Sequence, residues 1–278
     1  MQSPQTTNSA RPRIIIDAVP LTPEAFAPFG DVIENPRPAI HPSSADKHRS
    51  SLPANAVTAN QGSAIKYQHV SRHINLYDQA PSGRPATAIV SMFVCAARAR
   101  IPDPHPVPTP ASARLHDSPQ SLPPTFPITV LERHPFTTQS FIPLTANPEA
   151  RYLVVVAPSL PPSPKSSRLP VPTSLPKHTD YPRPLPGPGL PELQNVKAFV
   201  ATARQAITYG AGTWHAPMVA LGKDGGEAMD FVVVQFANGE VVEDCQEVYF
   251  QSDAVSGEAG AVVRLGTGEG KNGRVVKL

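Results

Sequence analysis

The sequence is short of several things, and each shortage removes a class of protein. It has only two cysteines in 278 residues, Cys95 and Cys245, too few for the disulfide framework of a small secreted domain. Neither sign of charge is in excess: 24 Lys and Arg stand against 22 Asp and Glu, a formal net charge of +2. That balance lacks the basic footprint of a nucleic-acid or acidic-membrane binder, so neither partner is expected. Long apolar runs are missing. Residues 153–157 (LVVVA) are strand-sized, far below the roughly 20 residues of a membrane helix. The first 13 residues are polar and carry Pro4 and Pro12, unlike the apolar core of a secretory signal. A reducing cytoplasmic setting is the expectation. Sequence signatures of common chemistries are also lacking: no Cys-x-x-Cys, no His-Glu-x-x-His, no phosphate-binding glycine loop and no Gly-x-Ser-x-Gly elbow.

Proline is what the chain has in abundance: 36 residues, against a usual share of about 5%. Residues 101–127 hold nine of them and residues 158–191 hold twelve. Proline removes ladder donors and favours extended loops. Both windows read as insertions in one compact domain, with the end of the first, around Pro127, rejoining the fold. The expected organisation is a tail over residues 1–20, a single catalytic domain over 21–250 and an extension over 251–278.

Outside these windows the pattern is β. Short runs rich in β-branched residues occur at 88–95, 128–133, 139–144, 151–157, 197–201, 205–209 and 230–236. Each is bounded by Gly, Pro, Asn or Asp, the mark of a sandwich or small barrel. Asn238-Gly239 reads as a hairpin turn into Val241-Val242. Helix is scarce. One short helix is expected over 21–30, with Thr22 as cap, Pro23 at its first position and Gly30 past its end. Pro191 to Gln194 can open another.

Polar residues with chemistry fall in three groups. Glu132-Arg133-His134-Pro135 leads to Gln139; in a strand Glu132 and His134 share one face and Arg133 takes the other. Tyr209-Gly210-Ala211-Gly212-Thr213-Trp214-His215 places a phenol, the single tryptophan and an imidazole around a tight turn. Asp244-Cys245-Gln246-Glu247 offers acids near the end of the β region. No metal signature is present, although a barrel can gather ligands from separate strands. His69, His73, His134, His215 and Glu247 are the residues available for that, and the metal is left unknown.

Taken together and in this order, these strings resemble ureidoglycolate lyase. The resemblance rests on residues 29–34 (FGDVIE), 131–144 (LERHPFTTQSFIPL), 209–217 (YGAGTWHAP), 230–234 (DFVVV) and 244–247 (DCQE). It implies a mostly β, cupin-like double-stranded β-barrel, a homodimer, and the splitting of ureidoglycolate into glyoxylate and urea during allantoin and purine breakdown. Two departures stand out. Ala216 replaces a second histidine often found there, and Gln235-Phe236 replaces an Asp-Arg.

The reaction needs a base for the substrate hydroxyl and an acid for the leaving nitrogen. On this reading His134 and His215 are the base candidates and Tyr209 the acid. Arg133 and Trp214 are expected to bind substrate, and Gln139 and Glu247 to contact its ureido group. No organic cofactor is required, and a divalent metal remains open. Two other readings stand beside it: an amidohydrolase releasing ammonia, and a non-catalytic cupin-like module binding small acids.

Overall fold

The computed structural model describes residues 14–98, 125–176, 181–222, 227–250 and 261–265. Most of the first proline-rich window therefore lies outside the described residues. Seventeen strands occur among those described. The first six are β1 (Ile14–Asp17), β2 (Val19–Pro20), β3 (Gly30–Ile33), β4 (Ala56–Ala59), β5 (Ala64–Tyr67) and β6 (Thr87–Ala96). Then come β7 (Thr125–Pro127), β8 (Val130–Arg133), β9 (Gln139–Pro143), β10 (Arg151–Ala157), β11 (Lys197–Thr202) and β12 (Ala206–Tyr209). The last five are β13 (Trp214–His215), β14 (Val219–Leu221), β15 (Ala228–Ala237), β16 (Gln246–Tyr249) and β17 (Ala261–Arg264). Two one-turn helices, α1 (Pro23–Phe26) and α2 (Val241–Asp244), complete the regular elements used below.

Two sheets face each other in a cupin-like arrangement. One runs β16-β8-β13-β10-β11-β2, with β14 also on β10; the other runs β3-β12-β9-β15-β6. Between them lies a core of Tyr152, Val154 and Val156 from β10, Ile207 and Tyr209 from β12, Phe141 from β9, and Phe231 and Val233 from β15. The other face of β10 is equally apolar. Leu153, Val155 and Ala157 pack with Trp214, Leu131 and Ile128 against Ile16, Ala261 and Val263. This double burial explains why 151–157 reads as an unbroken apolar run rather than an alternating one.

The second core is closed by a small sheet, β1-β17-β7, in which β1 and β17 pair in parallel. The expected domain limits at residues 20 and 250 cut through this sheet, because the expected tail and extension each supply a strand. Pro127 does rejoin the fold, as the end of β7.

Local differences have local causes. Thr22 caps α1 through Ala25 N–H and Pro23 opens it, but the helix is only four residues long. Gly30 begins β3 instead of ending a helix. A Cβ there would sit 2.0 Å from the Thr208 carbonyl oxygen, so the close β3–β12 pairing requires glycine. Residues 193–195 form a single 3-10 turn. After Asn238-Gly239 the chain does not return as a strand. Val241-Val242 are helical, because the Asp244 carboxylate accepts the Asn238 and Gly239 N–H groups and pulls the chain into α2.

Candidate active site

A row of facing residues crosses the first sheet. Glu247 on β16 is opposite Glu132 on β8, Glu132 is opposite His215 on β13, and His215 is opposite Val156 on β10. Directly paired residues put their side chains on one face, and Val156 fixes that face as the one toward the inter-sheet core. On the opposing sheet Tyr209 and Gln139 are likewise paired. The Tyr209 ring stacks on His215 at 3.9 Å between centroids, with 16° between planes.

His134 lies just past β8. Its ring centroid is 5.5 Å from that of His215. Glu132, His134 and His215 can each offer one donor atom so that all lie within 4.8 Å of one another. The tautomers follow from the backbone. His134 Nδ1 is 2.6 Å from the Asp244 carbonyl oxygen, and His215 Nδ1 is 2.9 Å from that of Thr213. A carbonyl only accepts, so both Nδ1 atoms carry the proton. Both Nε2 atoms are then bare lone pairs. Each is buried without a partner among the described residues. His215 Nε2 lies 3.6 Å from Glu132 Oε1, too far for a hydrogen bond.

Burial sets the protonation states. It pushes His215 down to about 4, and with the neighbouring His215 it also pushes His134 to about 4. The same desolvation raises Glu132, with Glu247 adding to the rise and His134 and Arg98 opposing it. Tyr209 is held well above the ordinary phenol value by burial, so its hydroxyl keeps its proton. That hydroxyl and Gln139 Oε1 are also buried without partners among the described residues. The other end of the Gln139 amide donates to Gln235 Oε1 at 2.5 Å.

Four of the seven residues singled out in the sequence thus come together: His134, His215, Tyr209 and Gln139. Glu247 stands one pair farther along the row, exposed, where it accepts the Tyr249 hydroxyl and lies near Glu132 and Cys245. Arg133 and Trp214 do not join them. Strand alternation turns both to the opposite face. Arg133 is fully buried, with its guanidinium 4.4 Å from the Trp214 ring. It donates to Gln246 Oε1 at 2.9 Å and to the carbonyls of Gly187, Pro188 and Gly189. Trp214 Nε1 donates to Gly189 O at 3.0 Å. From there neither residue presents a donor to the cluster.

His73 is on the outer face of the second sheet, against Ser140 Oγ, and His69 is exposed. Both are outside the cluster. Ala216 packs in the second core with Trp214, so the missing second histidine takes nothing from this cluster. Gln235 does bear on the site, as the partner of Gln139. Glu132 was legible beside His134 as a carboxylate on its face, yet its place at the centre depends on the β8–β13 pairing, which no local pattern announces.

The cluster can take or hold a positive charge at two lone pairs and a carboxylate, and can donate from a phenol. Two nitrogens and one oxygen are also a suitable donor set for a borderline divalent cation.

The family model described as ureidoglycolate lyase matches residues 13–256. A Schizosaccharomyces pombe protein named ureidoglycolate lyase is 34% identical over 232 residues, covering 83% of this chain and 89% of the relative. The Saccharomyces cerevisiae protein of that name is 29% identical over 246 residues, covering 87% and 97%. A Burkholderia mallei protein of the same name is 29% identical over 215 residues, covering 77% and 78%. The chain belongs to the ureidoglycolate lyase family.

Proposed function

We propose that this protein is a ureidoglycolate lyase, splitting ureidoglycolate into glyoxylate and urea within allantoin breakdown, with Glu132, His134 and His215 as its reaction centre. The observation that carries this is a set of four buried polar atoms without a partner among the described residues: two imidazole Nε2 atoms, the Tyr209 hydroxyl and Gln139 Oε1. A buried polar group without a partner costs about 1–3 kcal/mol. The substrate's ureido group can satisfy the Tyr209 hydroxyl and Gln139 Oε1, and the two imidazole lone pairs are left to hold a positive charge.

The chemistry assigns each group a task. The substrate hydroxyl passes its proton to the Glu132 carboxylate, which burial makes more basic, as the carbon–nitrogen bond breaks, and the departing ureido nitrogen gains one from Tyr209. Tyr209 carries a proton at neutral pH and is the donor. Gln139, held by Gln235, presents its oxygen to a ureido N–H. Stacking on His215 fixes the Tyr209 ring.

Two lone pairs facing a carboxylate repel one another unless a positive charge lies between them. The substrate is itself anionic, and Arg133 is turned away. We therefore propose a divalent cation held by Glu132, His134 and His215. It would neutralise the substrate carboxylate and lower the hydroxyl pKa.

Two further features support a homodimer. Among the described residues the ten-residue strand β6 is a sheet edge, and Val90, Met92 and Val94 on its outer side are 71%, 59% and 69% exposed. A long apolar edge strand is a template for pairing with another chain, and we propose that a second copy covers it. Free Cys95 and Cys245 fit a cytoplasmic setting. No helix among the described residues is long and apolar enough to cross a membrane.

The deciding assay incubates purified protein with fresh ureidoglycolate, with and without chelator, and quantifies urea, ammonia and glyoxylate above background. Equal urea and glyoxylate without ammonia is expected, lost under chelator and restored by metal. Full activity under chelator would remove the cation and leave Glu132 and the Nε2 lone pairs to act without it. Ammonia in place of urea would mean an amidohydrolase, and no turnover a binding module.

A further inference from the structure

The second proline-rich window is tied into the fold at its ends and along its returning limb. Its two ends are joined where Leu160 N–H donates to Leu190 O and Glu192 N–H donates to Pro158 O, both at 2.8 Å. Its returning limb, residues 181–190, lies against the backbone on either side of the site. Tyr181 Oη accepts the Ala211 N–H at 3.1 Å, and its ring joins the cluster of Phe136 and Ala211. Arg183 donates to the carbonyls of Ala27 and Gly30 and to the Asp31 carboxylate. Pro186 packs on Gly212, whose φ of +76° shapes the turn into β13. Gly212 N–H in turn donates to His134 O at 2.8 Å.

The carbonyls of Gly187, Pro188 and Gly189 then receive Arg133, and Gly189 O also receives Trp214. Arg133 immediately precedes His134, and Trp214 immediately precedes His215. One limb therefore grips the residue before each imidazole and the turn that links them. The grip is an expensive one. The guanidinium is fully buried, and its named acceptors are neutral. An apolar side chain of similar volume generally serves stability at least as well at such a position. A fork of fixed donors meeting three successive carbonyls instead specifies one geometry.

We infer that the limb from Tyr181 to Leu190 is a strap that positions the two imidazoles, with Arg133 and Tyr181 as its positioning residues. The inference rests on the lyase reading for its kinetic readout only. Reactive groups displaced by about 1 Å commonly lose up to about a hundredfold in rate.

Three variants test it: Tyr181→Phe, which deletes one oxygen, Arg133→Met and Arg133→Lys. Tyr181→Phe and Arg133→Met are expected to lower kcat by about 10- to 100-fold with KM within about twofold, and Arg133→Lys to recover part of the loss. Histidine ring NMR shifts of metal-free protein at neutral pH supply a readout that needs no turnover. In the wild type the His215 ring lies 3.9 Å from the stacked Tyr209 ring, whose ring current displaces its carbon-bound protons. In the strap variants that displacement shrinks as the stacking loosens. Folded variants with unchanged kcat and unchanged ring shifts would overturn the strap, as would a loss of kcat that only tracks the folded fraction. If Arg133→Met fails to fold, Tyr181→Phe decides alone. If the wild type shows no lyase activity, the ring shifts still decide the strap while the lyase reading falls separately.

Discussion

Tyr209 shows how a single atom separates function from stability. Its hydroxyl is buried and has no partner among the described residues, while its ring packs on His215, Phe26 and Phe141. Tyr209→Phe keeps the ring and removes an unsatisfied group, which is neutral or stabilising for the fold. If the hydroxyl is the proton donor, kcat falls by about 10²–10⁴ while the unfolding temperature holds or rises. Near-normal kcat in this variant would strike Tyr209 from the chemistry. The imidazoles make a second prediction, in pH. Both have folded values pushed below the unfolded value of about 6.5, His215 to about 4. Above 6.5 both states are neutral and the burial is fully tolerated. As pH falls from 6.5 toward 4 the unfolded chain takes up protons that the folded one refuses, so stability is lost over that window. Urea unfolding of metal-free protein should show this slope, and His215→Gln should flatten it. An unchanged slope in that variant would mean that the ring is not kept neutral by burial. At this scale the sequence was partly legible. The alternation of Glu132 and His134 against Arg133 placed the arginine on the far face. That a buried Arg133 ends on the carbonyls of residues 187–189 depends on a contact across more than fifty residues, which no local pattern carries.

Elements with a strong local signal matched their expected positions. The runs at 151–157 and 230–236 became β10 and the centre of β15, because β-branched residues suit a pleated buried surface. Of the elements of two to four residues, β8, β12 and α1 were legible from their local pattern, and others were not. β13 is only Trp214–His215, and it exists because β8 and β10 flank it. α2 was read as a strand because its cap is a side chain, Asp244, acting backward on a turn. The strand β6 carries the prediction that belongs to this scale. Its outward residues Val90, Met92 and Val94 pair across to Val234, Val232 and Asp230, and Ile142 on the next strand is 40% exposed. An apolar stripe of this kind, continuous over three strands, marks an interaction face. Met92→Lys is expected to turn a sedimenting dimer into a monomer of about 30 kDa with little change in circular dichroism. A wild-type protein that already sediments as a monomer at micromolar concentration would remove the dimer.

The whole molecule is held by what the sequence reading placed outside its domain. β1 and β17 come from opposite ends of the described chain and pair in parallel, Ile14 with Ala261 through Asp17 with Arg264. Together with β7 they cover the outer face of the site-bearing sheet, where Trp214, Leu131 and Ile128 lie. The reason they escaped notice is physical. A four-residue strand such as Ala261–Arg264 has no flanking pattern to distinguish it from a loop, and its burial is supplied by partners about 250 positions away. Their position has a consequence for the site. Trp214 packs beneath them, and its neighbour His215 looks the other way, onto Tyr209. Ending the chain at residue 250 removes Val262, Val263 and Leu265, all at most 5% exposed. Burial of side chains of this size contributes about 1.5–3 kcal/mol each, so the loss is on the order of 4 kcal/mol or more. A chain of residues 1–250 is therefore expected to unfold at clearly lower urea than the full chain. Its kcat should fall too, because Trp214 loses the layer that fixes the backbone of His215. If the shortened chain unfolds within about 0.5 kcal/mol of the full one, a range typical of changes away from any packed feature, the terminal sheet is an accessory. A large loss of stability with kcat intact would show that the two facing sheets hold His215 without it.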